Sequence, residues 1–316
     1  MVPAASVTAG GMTATCGGMD CNDSDAAIRP GATEACNGRD DNCNGTTDEG
    51  CAATGETCAD PIPLTLSASG TVTVSGMIDA SRINDYNTRC GGSGGRDVVY
   101  VLTLDRSADV RIETRGGIDT VVAAGTTCDM ATFGRQCNDD QNPGTSVTSR
   151  MWLRRVQVPV AGVQRLYIVV DGYQASTMGA FELNVQVNAT PAGDSCGGSP
   201  LNVTGGGTVY GNMVGVTGSH TGSCQSGIAL TQIEALFRYD AGRLQSLEAV
   251  STDFIPALHV RTTCSNASTQ VECENGMMGG GAGTVMIADI NTAADALTFF
   301  VDNAEVNGAY RLEVNP

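Results

Sequence analysis

The residues whose types and spacing define a chemistry lie together in CGGMDCNDSDAAIRPGATEACNGRDDNCNGTTDEGC, residues 16–51. Asp40, Asn42, Asn44, Gly45 and Thr46 fall at positions 1, 3, 5, 6 and 7 of a calcium loop. In such a loop alternate oxygen side chains converge on one hard cation, and glycine makes the sharp turn. Asp48 and Glu49 follow at the ninth and tenth places, where a further carboxylate closes the shell. The twelfth place, a bidentate glutamate in a helix–loop–helix site, is Cys51. A second acidic run, Asp20, Asn22, Asp23 and Asp25, precedes Pro30-Gly31 and offers the missing oxygens or a second site. The stretch holds no His and no Met apart from Met19, so hard oxygen ligands for calcium suit it better than copper. The competing reading is that cysteines staple a solvated acidic loop.

From Cys16 to Gly50 the order DC-x-D-S-D, RPGATEAC and NGRDDNCNGTTDEG resembles the metal-binding motif family of myxobacterial-type secreted and surface proteins. The resemblance implies a bound metal without fixing the ion. Some proteins with this motif are associated with copper at the cell surface, which makes copper binding or acquisition the rival function.

Such a head needs a scaffold, and the bulk properties bound it. A chain of 316 residues that is 41% hydrophobic suits two to three domains with packed cores. No apolar run approaches the roughly 20 residues of a spanning helix, so no membrane span is expected. The net charge is −17, and all 17 basic residues are Arg. This balance argues against nucleic acid as a partner, and the lack of Lys excludes Schiff-base chemistry and Lys–Asn cross-links. Thirteen cysteines with no C-x-x-C pair point to an oxidising compartment, extracellular or at the cell surface. The N-terminus, MVPAASVTAGGM, lacks the charged start and apolar core of a signal peptide, so a mature or truncated product is expected.

Residues 1–15 read as a flexible segment with a short strand at Ser6 to Ala9, and residues 16–51 as the head. From Cys58 onward, β-type runs alternate with Gly, Asn and Asp turns: 71–78, 97–104, 109–114, 119–124, 151–158, 165–171 and 179–187. The pattern then recurs. Cys58, Cys90, Cys128 and Cys137 are matched by Cys196, Cys224, Cys264 and Cys273 at nearly constant offset. DVVYVL (97–102) matches EALFRY (234–239), and GAFELNV (179–185) matches GAYRLEV (308–314). A duplicated module of about 130 residues follows, spanning 55–190 and 193–316. The expected fold is all-β: two tandem antiparallel, jelly-roll-like β-sandwiches behind a small Cys-rich, loop-rich head. The simplest pairing within each module is first with second and third with fourth: Cys58–Cys90, Cys128–Cys137, Cys196–Cys224 and Cys264–Cys273. The head cysteines Cys16, Cys21, Cys36 and Cys43 leave three pairings open, with Cys51 as the odd thiol. RDVVYVLTL, IDTVVAAGTTC, CNDD, LYIVVDGY and GAFELNV also resemble the bacterial pre-peptidase C-terminal domain, in order. That resemblance implies a jelly-roll-like sandwich on a secreted protein.

Outside the head, Asp97, Asp119, Asp139 and Asp140 border predicted strands and offer a second cation site; loop capping is the bland alternative. Copy two has Ile255, Asn275 and Gly276 where copy one has Asp119, Asp139 and Asp140. GGSGG (91–95) fits G-x-S-x-G but lacks the strand-to-helix context of a nucleophile elbow. His259, in ALHVRT, reads as a packed or edge residue and His220 as a loop residue. In SRMWLRRV, alternation predicts Trp152 inward and Arg150, Arg154 and Arg155 outward. No catalytic constellation emerges. The expected role is structural or adhesive, with calcium stiffening the head. The tail and the sandwich edges are expected to build a homopolymeric extracellular filament, or to bind an undefined surface or matrix ligand. A third alternative is the non-catalytic C-terminal region of a secreted peptidase.

Overall fold

Alternating apolar runs separated by Gly and Asn turns become strands here because one face can be buried while the other meets solvent or a covering loop. The structure is a computed structural model. It describes residues 7–9, 12–14, 21–22, 25–33, 40–45, 54–92, 94–159, 162–189, 195–198, 200–213, 218, 220–225, 233–279, 282–303 and 308–316. In the N-terminal segment β1 (Val7–Ala9) pairs antiparallel with β2 (Met12–Ala14).

The first sandwich comprises β3 (Ile62–Leu64), β4 (Thr71–Ile78), β5 (Asp97–Leu104), β6 (Ala108–Gly116), β7 (Thr120–Gly125), β8 (Cys137–Asn138), β9 (Arg150–Val156), β10 (Gln164–Gly172) and β11 (Gly179–Ala189). One helical turn, α1 (Met130–Phe133), lies between β7 and β8. The second sandwich comprises β12 (Leu201–Asn202), β13 (Gly207–Asn212), β14 (Ile233–Tyr239), β15 (Arg243–Ser251), β16 (Ala257–Arg261), β17 (Gln270–Asn275), β18 (Met277–Gly279), β19 (Ala282–Asn291), β20 (Leu297–Asn303) and β21 (Ala309–Asn315). The fold is all-β, as the alternation predicts. No helix among the described residues is long and apolar enough to cross a membrane.

The duplication is visible in the topology. One layer of the first copy runs β3-β5-β10-β7-β8, and its counterpart in the second runs β12-β14-β20-β16-β17. The other layers run β9-β6-β11-β4 and β18-β19-β15-β21-β13. They are not separate sheets. β13 pairs parallel with β9, Thr208 opposite Met151 and Tyr210 opposite Leu153, so both layers merge into one nine-stranded sheet.

The cores interlock at this seam. Tyr100, Leu102, Ile112, Leu166, Ile168 and Leu183 belong to the first core, and Phe237, Leu247, Leu258, Phe299 and Leu312 to the second. Trp152 of β9 packs in the second core, and Tyr210 of β13 packs in the first. The Tyr210 hydroxyl donates to the Cys137 carbonyl at 2.6 Å and accepts from the Cys137 N–H at 3.1 Å.

Two expectations are corrected. The disulfides join first to third and second to fourth: Cys58–Cys128, Cys90–Cys137, Cys196–Cys264 and Cys224–Cys273. Segments preceding β3 and β5 fold over the outer face of the five-stranded layer, and these bonds fasten them to the end of β7 and to β8. They close longer loops than neighbour pairing would, which constrains the unfolded chain more in the entropy model. Secondly, Arg154 and Arg155 are buried, not outward. Arg154 shares the face of Trp152, two places before it, and the second sandwich covers that face. The Arg154 guanidinium pairs with Asp109 at 3.4 Å and lies over the Phe237 ring, while Asp109 also accepts from the Arg155 N–H.

Trp152→Ala is expected to destabilise the second sandwich by about 3–5 kcal/mol, although the residue lies in the first copy's chain. Hydrogen exchange should show faster opening of β14 and β15 in the variant.

Candidate metal centre

In the head, residues 25–33 turn back against the loop 40–45. The Arg29 N–H donates to the Asp41 carbonyl at 2.9 Å, and the Gly31 N–H to the Asn42 carbonyl at 3.3 Å. Ile28 is buried, and Cys21–Cys43 ties the acidic run to the loop. This settles one head disulfide; Cys16, Cys36 and Cys51 lie outside the described residues.

The loop itself is organised by its carboxylate. Asp40 Oδ1 accepts from the Asn44 N–H at 3.1 Å and Oδ2 from the Gly45 N–H at 2.8 Å, while Asn42 Oδ1 also accepts from Asn44 N–H. Gly45 has φ +91° with open space around it, so the sharp turn selects glycine on backbone grounds. An ionised carboxylate has about four acceptor sites, so these two amide bonds leave Asp40 capacity for a cation. Asn22 neighbours the Cys21 anchor, and Asp25 Oδ1 accepts from the Ala27 N–H. Asp20, Asp23, Thr46, Asp48 and Glu49 lie outside the described residues. The described donors are carboxylate, carboxamide and carbonyl oxygens, and Cys21 and Cys43 are oxidised, so this set fits a hard cation such as calcium.

The second acidic set is gathered by strand alternation. Asp97, Asp119, Asp139 and Asp171 share the parity that faces away from the first core, with Val99, Val121, Ala123, Cys137 and Val169. The register puts Asp97 opposite Asp171, Asp171 opposite Val121, and Val122 opposite Asn138. All four therefore lie at one end of the same layer. Oxygens of Asp119, Asp139 and Asp140 all lie within 4.8 Å of one another. Asp171 was missed by the sequence reading. Its signal was there, as an aspartate closing the apolar run LYIVV on the covered face.

Asp97 is fully buried; its Oδ2 accepts from the Asp85 and Tyr86 N–H groups, each at 2.7 Å. Thr88 Oγ1 donates to Asp171 Oδ2 at 2.8 Å. The other oxygens, Oδ1 of Asp97, Asp139, Asp140 and Asp171, are buried without a hydrogen-bond partner. Burial and the facing Asp171 push Asp97 up to about 8, and burial pushes Asp171 up to about 7. Burial, then Asp140, Asp119 and Asp171, push Asp139 up to about 7.

Elsewhere the predicted residues separate. Of GGSGG (91–95), Gly91 and Gly95 lie against Asp139 and Asp171, and Ser93 lies outside the described residues. His259 is fully buried and stacks on Phe300 with centroids 4.1 Å apart, as a packed residue should.

Residues 20–49 match the Cu-binding MopE family model, described as a "putative metal-binding motif". The chain carries a metal-binding motif, and the family's name points to copper. No curated protein matches the chain. Among solved structures, tripeptidyl peptidase 2 is similar at 10% identity and TM-score 0.23, over 81% of this chain and 24% of that one. An uncharacterized protein from Burkholderia cenocepacia is similar at 11% identity and TM-score 0.21, over 78% of this chain and 82% of that one. The chain thus spans about a quarter of the peptidase's length.

A raised carboxyl favours the protonated native state. Its stabilising share is complete below the unfolded value near 3.8 and is lost as pH rises through the folded value. In chelator, Asp97→Asn should therefore melt above the wild type at pH about 8, and the gap should close by pH about 4. Thermal denaturation across that window checks the sign.

Proposed function

We propose that this is a secreted or cell-surface structural protein whose head folds around calcium, and that it works without catalysis. The observation that carries the reading is the Asp40 carboxylate, held by the Asn44 and Gly45 amides inside the segment that matches the metal-binding motif. A head with so little apolar surface gains its order from an ion and from disulfides. Five disulfides among the described residues suit an oxidising, extracellular setting.

Adhesion or end-to-end assembly is the role proposed for the sandwiches. The seam supports it, because β13 joins β9 edge to edge by a heterologous contact that need not close when repeated. β4 ends the nine-stranded sheet on one side and β18 with β19 on the other, leaving edges that accept a strand from a second copy or a matrix partner. Calcium-dependent growth in sedimentation velocity is the expected outcome, and a monomer at every concentration would exclude the filament.

The second reading is copper binding for acquisition, favoured by the name of the matching family. The two are separated on the full-length protein. Calcium at a hundred times its dissociation constant should add about 2.7 kcal/mol to the head's stability, and Asp40→Ala should lose that gain while both sandwiches melt unchanged. Tight copper with no calcium response of the head would select the second reading.

A further inference from the structure

The duplicated fold contains its own control for the acidic end of the first sandwich. In the second copy Glu234 lies opposite Asp302, in the register that sets Asp97 opposite Asp171 in the first. All four residues are buried. The second copy sets nitrogen side chains against these acids, while burial pushes Asp302 up to about 8 and His259 down to about 3. His220 Nδ1 lies 2.7 Å from Glu234 Oε1, and His259 Nδ1 lies 2.9 Å from Asp302 Oδ2, out of line for a hydrogen bond. Burial lowers the pKa of the buried Arg261, and the facing Glu234 and Asp302 offset part of that.

Among the described residues the first copy has no counterpart to His259 and Arg261. His259 opposite Phe300 corresponds to Ala123 opposite Val169, and Arg261 opposite Thr298 to Gly125 opposite Tyr167. The charged groups that act on Asp97, Asp119, Asp139, Asp140 and Asp171 are other carboxylates. Asp119, Asp139 and Asp140 thus join the Asp97–Asp171 pair at this end of the layer, with no cationic side chain acting on them. An uncompensated buried charge costs several kcal/mol, so such a group is either neutralised or paired.

We propose that Asp119, Asp139 and Asp140 bind a calcium-class divalent cation, backed by Asp171 and Asp97, and that this ion secures the seam between the sandwiches. Two oxygens bound to one calcium at 2.3–2.6 Å lie at most about 5.2 Å apart, and the triad's 4.8 Å spread fits within that shell. The buried, unpartnered Oδ1 atoms of Asp139, Asp140, Asp171 and Asp97 supply the missing acceptors. Glycines of the 91–95 loop approach closely: a Cβ at Gly91 would stand 3.4 Å from Asp139 Oδ1, and one at Gly95 would stand 2.3 Å from Asp171 Oδ1.

The ligand loop is also the buttress of the seam. Asn138 Nδ2 donates to Thr208 Oγ1 of β13 at 3.0 Å, and Asn138 Oδ1 accepts from the Arg150 N–H of β9 at 2.8 Å. A Cβ at Gly206 would meet the Gln141 carbonyl at 2.4 Å. Trp152, the one tryptophan of the chain, lies two places beyond Arg150 and reports on the seam by its emission.

The site is separate from the head and stands whether or not the head takes calcium. The test compares calcium uptake by the full chain, by Asp40→Ala and by Asp119→Asn/Asp139→Asn, using calorimetry and Trp152 emission. The double variant should bind one equivalent fewer than the wild type and lose the calcium-dependent change in emission. Asp40→Ala should keep both. In chelator, removing the mutual repulsion should leave the double variant melting at or above the wild type. Equal calcium uptake by wild type and double variant would overturn the proposal, and so would a lower melting temperature of the double variant in chelator.

Discussion

Everything in the larger part of this molecule depends on the parallel pairing of β9 with β13. That contact turns two sandwiches into one object, because it joins their sheets edge to edge and carries Trp152 and Tyr210 into each other's cores. An edge strand is a liability in an isolated sandwich, since its backbone groups invite another chain. Here duplication supplies the partner in the same chain. The buried Arg154, with Asp109 on one side and the Phe237 ring on the other, is tolerable only because the seam completes its surroundings.

Charge burial is the second constraint. Each copy carries two acids opposite one another on the covered face of its five-stranded layer. The face is covered because loops bound by two disulfides fold across it in each copy. Covering removes water, so the acids must find compensation. The second copy places Arg261 and the neutral ring of His259 beside its acids, while the first has Gly125 and Ala123 at the corresponding places.

The head follows different rules. Among its described residues Ile28 is the one buried hydrophobic side chain, so packing contributes little to its order. Its shape comes from a disulfide, from backbone hydrogen bonds between 28–31 and 40–45, and from the amides gathered by Asp40. Such a framework holds oxygen donors without a core behind them, which is what a small metal-binding head requires.

Much of this was legible from local pattern. Period-two alternation located seven of the nine strands of the first copy to within about two residues, because each buries one face, and missed the short β3 and β8. The repeat of four cysteines and of DVVYVL as EALFRY disclosed the duplication, and oxygen residues at alternate places in 40–45 disclosed the loop. What sequence could not carry was anything decided between strands. Which cysteines meet depends on how loops fold across a sheet, so nearest neighbours in sequence were the wrong guide. Asp171 joins Asp97 only through antiparallel register, and Arg154 is buried where Phe237 of the other copy lies against it. Alternation says which residues share a face of one strand; the neighbouring strand, and what lies over that face, are chosen by tertiary packing.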